Sequence, residues 1–145
     1  MAGFHTRRIG DKPDIIAADG SEVRILCQLS RGALATFTLA GGAVSKAVAH
    51  RTVEEVWYVI RGQGRMWRKM DNQEEVTELS PGISVAIPTG MHFQFRSDGT
   101  EPLEIVAATM PSWPGEGEAY FVEGKWPATV CRLLRISTPA RCRSG

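Results

Sequence analysis

Short apolar and β-branched runs, separated by turns rich in glycine and proline, recur along most of the chain. The first run extends from Glu22 to Leu29, and later runs follow at even intervals as far as Met110. Stretches such as Ser80-Pro81-Gly82 mark the turns between them. Evenly spaced short strands are typical of all-β sandwiches and barrels rather than of alternating β and α units. The pattern predicts about eight or nine strands, the number expected of a jelly roll.

One run, from Val56 to Ile60, is apolar at every position, so that both faces of its strand require cover. A single barrel has only one interior, and the second face therefore needs the tail of the chain or a second copy of it. The run by itself leaves both kinds of cover open.

Differences in residue composition divide the chain into three parts. Residues 1–20 mix charges, glycines and one proline, which indicates an N-terminal arm, and residues 21–112 carry the strand pattern of the barrel. From residue 113 to 145 the prolines exclude a sheet interior, but the aromatic residues need burial, so this segment is expected to pack on the barrel with a frayed basic end. The aromatic residues in question are Trp113, Tyr120, Phe121 and Trp126.

Composition limits the classes of function. The 145 residues fit one domain, and 17 basic against 16 acidic residues give no field that would attract nucleic acid or an anionic membrane. No apolar run is long enough to cross a membrane as a helix, and no export signal is apparent. Three widely spaced cysteines match neither a disulfide framework nor a zinc motif, so a reducing cytoplasm is the expected location.

Candidate chemistry lies in two stretches that each place a histidine at the edge of an apolar strand. The first contains His50 and Glu55, and the second contains His92. Two imidazoles and a carboxylate at one point form a set that binds iron, manganese, zinc or nickel. Strand alternation makes Gln94 a candidate fourth ligand if the face of His92 points inward.

The spacing of these stretches resembles the paired signature of the cupin superfamily. In the first motif Gly42, His50, Glu55 and Gly62 occupy family positions, and Val48 stands where the family has its first histidine. In the second motif Gly82, Pro88 and Gly90 fit, Phe93 takes the place of the family's histidine, and Ser97 replaces its asparagine. The resemblance implies a jelly-roll or double-stranded β-helix barrel with a small-molecule site inside it. It also implies a homodimer, with its interface on the strand from Glu22 to Leu29 or on the outer face of the sheet.

Two registers of the His92 strand remain open. In one, His92 faces inward and completes a metal site with His50 and Glu55. In the other, the two phenylalanines face inward, His92 points away and the pocket is apolar. The pocket-wall candidates by strand position are Trp57, Trp67, Phe93, Phe95 and Arg96.

Three functions are compatible with this sequence. The first is a metal-dependent enzyme, dioxygenase-like or isomerase-like, that acts on a small substrate. The second is a metal-free binding module for a sugar, an aromatic compound or an effector. The third is a metal-free isomerase or epimerase in which a histidine acts as general base and Glu55 orients it.

Overall fold

The computed structural model describes residues 3–130, and eleven strands form within them. The strands are β1 (Ile15–Ile16), β2 (Glu22–Leu29), β3 (Gly32–Leu39), β4 (Val48–His50), β5 (Glu54–Arg61), β6 (Gly64–Met70), β7 (Gln73–Leu79), β8 (Ser84–Ile87), β9 (His92–Ser97), β10 (Leu103–Met110) and β11 (Ala119–Phe121). The strands from β2 to β10 are the nine that the sequence pattern predicts. No helix capable of crossing a membrane occurs within residues 3–130.

Two antiparallel sheets face each other. The six-stranded sheet has the order β1-β2-β3-β10-β5-β8, and the five-stranded sheet has the order β11-β4-β9-β6-β7. Strands that are neighbours in space are often distant in sequence, as where β10 pairs with both β3 and β5. This arrangement confirms the all-β jelly roll expected from the sequence.

The core lies between the two sheets and consists of the inward residues of alternating strands. In β5 the inward side chains of Trp57 and Val59 are fully buried, whereas Val56, Tyr58 and Ile60 stay exposed on the outer face. Trp57 is the centre of an aromatic cluster and packs edge to face on the rings of Phe37, Phe93 and Phe95. The barrel is thus filled by side chains, as small barrels are.

The segment after the last core strand returns across the five-stranded sheet. Strand β11 pairs with β4, and the backbone N–H groups of Lys125 and Trp126 donate to the side-chain oxygen of Gln94 at 3.0 and 2.9 Å. The Trp126 ring lies under the guanidinium groups of Arg65 and Arg96. The basic end of the chain, residues 131–145, lies outside the described residues.

Candidate functional site

His50 and Glu55 meet at one end of the barrel. His50 is the last residue of β4 and Glu55 the second residue of β5, and the short turn between them brings both side chains inward. The Nε2 atom of His50 lies 3.4 Å from Oε1 of Glu55. Only 4% of His50 and 3% of Glu55 are exposed, so the pair is enclosed by protein.

The carboxyl group of Glu55 is held in an apolar environment. Its Oε2 atom accepts a hydrogen bond of 2.6 Å from the indole N–H of Trp57. Burial raises the pKa of Glu55 to about 8, against the lowering effect of that hydrogen bond and with a smaller raising effect from the charge of Asp19. Glu55 is therefore a neutral carboxylic acid near pH 7, able to donate a proton.

The imidazole of His50 is uncharged under the same conditions. Burial lowers the pKa of His50 to about 4, although the nearby carboxylate of Glu118 acts in the opposite direction. Its Nδ1 atom is buried and has no hydrogen-bond partner among the described residues. An unpartnered buried polar atom is costly for stability and marks a position where a ligand group can bind.

At two positions where the cupin motif has a metal-binding histidine, this chain has a hydrocarbon side chain. Val48 and Phe93 are cross-strand partners in β4 and β9, and both are fully buried in the core. Neither side chain has a lone pair to give to a metal, so His50 and Glu55 are the only donors of that four-position set. Within residues 3–130, no three His, Cys, Asp or Glu side chains lie close enough together to hold a metal ion. The residues present do not fit the metal that the family motif implies.

The structure does not bring His92 to His50 and Glu55. In β9, Phe93 and Phe95 point into the core, so His92, Gln94 and Arg96 share the opposite face. The expectation that His92 completes a three-ligand set is not met in this structure, and the alternative register, with the phenylalanines inward, is the one found.

The other predicted residues of that face are also outside the barrel. The amide nitrogen of Gln94 donates to the carbonyl oxygens of Ser45 and Trp126, so this side chain anchors the C-terminal segment and does not line the site. Arg96 donates to Asp98 at 2.7 Å. Trp67 pairs with Gln94 across the strands and shares its outer face. Of the predicted pocket-wall residues, only Trp57, Phe93 and Phe95 lie inside.

A capping loop, residues 111–118, closes the barrel over this pair of residues. The Trp113 ring packs edge to face on the imidazole of His50, with centroids 5.1 Å apart. The Glu118 carboxylate accepts hydrogen bonds from the backbone N–H groups of Thr52 and Val53 and from the Thr52 hydroxyl, which ties the loop to the turn after β4. Burial opposes ionisation of Glu118, but these hydrogen bonds outweigh it and lower its pKa.

The end of the barrel where His50 and Glu55 meet is called the barrel mouth. Thr109 is a further polar residue at this mouth, and the sequence analysis did not identify it. It is the direct cross-strand partner of Glu55 and faces inward with it, and its buried hydroxyl has no partner among the described residues. The alternation of β10 (Leu103, Ile105 and Ala107 inward) was the available signal, since Thr109 continues that inward series.

A surface groove lies away from this chemistry. A groove of about 590 Å³ runs beside the C-terminal segment and is lined by Lys46, Gln94, Phe121 and Trp126, on the outer side of the five-stranded sheet. We regard the enclosed mouth as the better candidate, because it contains two residues with strongly shifted pKa values and two of the four buried polar side-chain atoms that have no partner among the described residues.

Several known structures have a fold similar to that of this chain. The capsular polysaccharide assembling protein CapF from Staphylococcus aureus superposes with a TM-score of 0.62 at 20% identity, over 74% of this chain and 33% of CapF. Oxalate decarboxylase from Bacillus subtilis gives 0.60 at 22% identity, over 68% of this chain and 28% of that enzyme. A study of its Mn(II) centres concerns the same enzyme. This chain spans about a third of the length of these two proteins.

A third relative is close to this chain in size. Streptomyces PAC13, solved with uridine, gives a TM-score of 0.61 at 14% identity, over 84% of this chain and 92% of PAC13. At such identities the likeness concerns the fold. No curated protein matches by sequence.

The profile of the Cupin domain family matches residues 35–109, which is just over half of the chain. This range contains both glycine-bracketed motifs and all or part of eight of the nine core strands, from β3 to β10. The chain belongs to the cupin family.

Proposed function

We propose that this chain is a small-molecule-binding cupin that holds its ligand at the barrel mouth through His50 and Glu55 without a metal ion. The observation that carries the proposal is the pair of buried hydrocarbon side chains, Val48 and Phe93, at two ligand positions of the family motif. What remains is a neutral imidazole and a neutral carboxylic acid among aromatic rings. Such a site suits an uncharged ligand that has polar atoms and an apolar body.

Acid–base catalysis is a second candidate function, favoured by the opposite pKa shifts of the two residues. Glu55 keeps its proton near neutral pH while His50 keeps a lone pair, so the two form a proton relay. As Nδ1 of His50 gives its proton to a ligand oxygen, Nε2 takes the proton from Oε1 of Glu55, and the reverse steps restore the pair. An isomerase or epimerase needs this kind of transfer.

The metal-dependent enzyme expected from the sequence has less support. In favour of this function, the proteins that are structurally similar to this chain include oxalate decarboxylase, a protein with Mn(II) centres. In this chain the third expected donor, His92, faces the other side of β9. A site for iron, manganese, zinc or nickel would have to form from two protein donors.

Metal analysis of the purified protein tests the proposal. We expect no stoichiometric metal after expression with added manganese, iron, zinc or nickel, and no rise in melting temperature when these ions are supplied. Stoichiometric metal that is lost in both His50→Ala and Glu55→Gln would overturn it.

Ligand binding provides the positive test, with uridine as the first probe because the PAC13 structure contains it. Binding measured by calorimetry should be lost in His50→Ala and retained in His92→Ala, a matched removal of a histidine on the outer face of the sheet. Equal loss in the two variants would contradict a site at the mouth.

We further propose that two copies of the chain associate through the outer face of the six-stranded sheet. Val56, Tyr58 and Ile60 are exposed there although they are apolar or aromatic, and Leu34 on β3 extends the same face. Contiguous apolar surface of this kind is typical of protein interfaces.

A further inference from the structure

His50, Glu55 and Thr109 form a polar cluster at the barrel mouth, and the capping loop covers this cluster. His50 and Glu55 are almost fully enclosed, yet Trp113, which rests on His50, is itself 39% exposed. One face of the indole therefore contacts the site and another contacts solvent. A ligand that reaches His50 from solvent has to displace this ring.

The hydrogen bonds of the capping loop within residues 3–130 are confined to its two ends. The Ser112 hydroxyl donates to the carbonyl oxygen of Leu29 at the start. At the other end Arg51 donates to the carbonyl oxygens of Gly117 and Glu118, both at 2.9 Å, and Glu118 is bound through its carboxylate. Among the described residues, no hydrogen bond joins residues 113–116 between these ends to the barrel.

Backbone geometry allows the middle of the loop to move. Gly115 and Gly117 have φ angles of 121° and 86°, and a Cβ atom at either position would meet nothing within 4 Å. Two unencumbered glycines with positive φ, Gly115 between the two fixed ends and Gly117 at the second of them, are suitable hinge positions.

The polar atoms beneath Trp113 define what would replace it. Oε2 of Glu55 accepts from the Trp57 indole, which leaves Oε1 to face Nε2 of His50; a neutral carboxyl group would hold its proton on Oε1. The proton of the neutral imidazole is then on Nδ1, which is a donor without an acceptor. The Trp113 ring supplies an aromatic contact to His50 but no acceptor oxygen.

We propose that the capping loop is a lid, and that Trp113 occupies the position of a ligand consisting of a flat neutral ring with a hydrogen-bond-accepting oxygen. The ring of the ligand takes the aromatic contact that Trp113 makes on His50. Its oxygen accepts from Nδ1 of His50, and the Thr109 hydroxyl is available as a second polar contact. This inference rests on the proposed function in taking the mouth as the ligand site.

Acylation of His50 by diethyl pyrocarbonate, followed by peptide mass spectrometry, measures how open the lid is without any ligand. We expect slow modification in the unmutated protein and a rate about tenfold higher in Trp113→Ala, since the lost edge-to-face contact holds the lid closed. Trp126→Ala removes a tryptophan of the C-terminal segment far from the mouth and should leave the rate unchanged. Exposed His5 serves as the internal reference.

Two further variants keep the test decisive if Trp113→Ala does not fold. Trp113→Phe retains a ring, and Glu118→Gln weakens the anchor of the loop while Trp113 stays in place. Each should accelerate His50 modification. An unchanged rate in the folded variants would overturn the lid.

Small rings supplied to Trp113→Ala test the ligand class. 2-Pyridone, a flat neutral ring with one carbonyl oxygen, should restore protection of His50, and benzene at the same concentration should protect it less. Equal protection by the two, or none by 2-pyridone, would overturn the ligand class. Failure of the proposed function would instead appear as bound metal that depends on His50 and Glu55, so the two failures are distinguishable.

Discussion

The imidazole of His50 packs edge to face on the ring of Phe93, with ring centroids 5.3 Å apart. Phe93 stands where the family motif has a histidine, and it fills the space next to the remaining histidine with hydrocarbon. The contact shields the imidazole from water, and burial disfavours its charged form. One substitution thus accounts both for the loss of a metal donor and for part of the low pKa of His50.

Truncation of Phe93 should destabilise the fold. Phe93 is 1% exposed, and Phe93→Ala should lower the free energy of unfolding by about 3–5 kcal/mol because it leaves a cavity beside Trp57 and His50. Urea denaturation measures the change. Phe121→Ala is the matched control, since Phe121 is 59% exposed and should change stability by less than about 1 kcal/mol. Similar losses in the two variants would show that Phe93 is not a core residue.

Restoring the family's donors should create a metal site. Val48→His combined with Phe93→His places two imidazoles beside His50 and Glu55, since both positions point into the barrel. We expect metal content and a metal-dependent rise in melting temperature in this double variant, and neither in the unmutated protein. Adding Glu55→Gln should weaken the new site, whereas adding His92→Ala should not. If the folded double variant binds no more metal than the unmutated protein, the assignment of these positions is wrong.

Stability should fall as the pH rises from about 6.5 to 8. The pKa of Glu55 is raised by burial, so the folded state holds a proton that the unfolded state releases, and stability decreases with increasing pH by up to about 1.4 kcal/mol per unit. The pKa of His50 is lowered by burial, which gives the opposite slope between its folded value of about 4 and its unfolded value of 6.5. Between about pH 4.5 and 6.5 the two slopes offset each other.

Chemical denaturation at several pH values, with Glu55→Gln for comparison, isolates the first of these effects. Burial also raises the pKa of Asp19, which adds a slope of the same sign, so the difference between the two proteins is the relevant quantity. Because the contribution of His50 cancels, that difference should grow from about pH 4.5 to about pH 8, as Glu55→Gln becomes more stable relative to the unmutated protein. A difference that stays constant from pH 6 to 8 would mean that Glu55 is ionised in the folded protein.

A charge on the outer face of the six-stranded sheet should disrupt the dimer. Tyr58 is 50% exposed, with Val56 and Ile60 on the same face of β5. Tyr58→Glu would bury a charge in the proposed interface, so light scattering should show a dimer for the unmutated protein at micromolar concentration and a monomer for the variant. Phe121→Glu, on an exposed aromatic residue of β11, should remain dimeric. A monomeric unmutated protein would contradict the proposal.

Much of the fold was predictable from the sequence. Glycine and proline mark the turns, and the apolar runs between them gave the strands from β2 to β10, because turn residues and alternation are local properties of the chain. The motif spacing also placed His50 and Glu55 close together. The connection of residues 51–53 is so short that the end of β4 and the start of β5 stay close together even though the two strands lie in different sheets.

The sequence alone determined that His92 and Phe93 lie on opposite faces of β9, since neighbouring residues of a strand always do. Only the tertiary structure decided which face is inward. Pairing with β4 and β6 buries Phe93 and Phe95 in the core, and the C-terminal segment covers Gln94 from outside, so both faces of the strand are partly buried and its pattern is ambiguous. The contact of Trp113 with His50 was equally hidden, because it joins residues far apart in the chain, and packing between such residues leaves no local signal in the sequence.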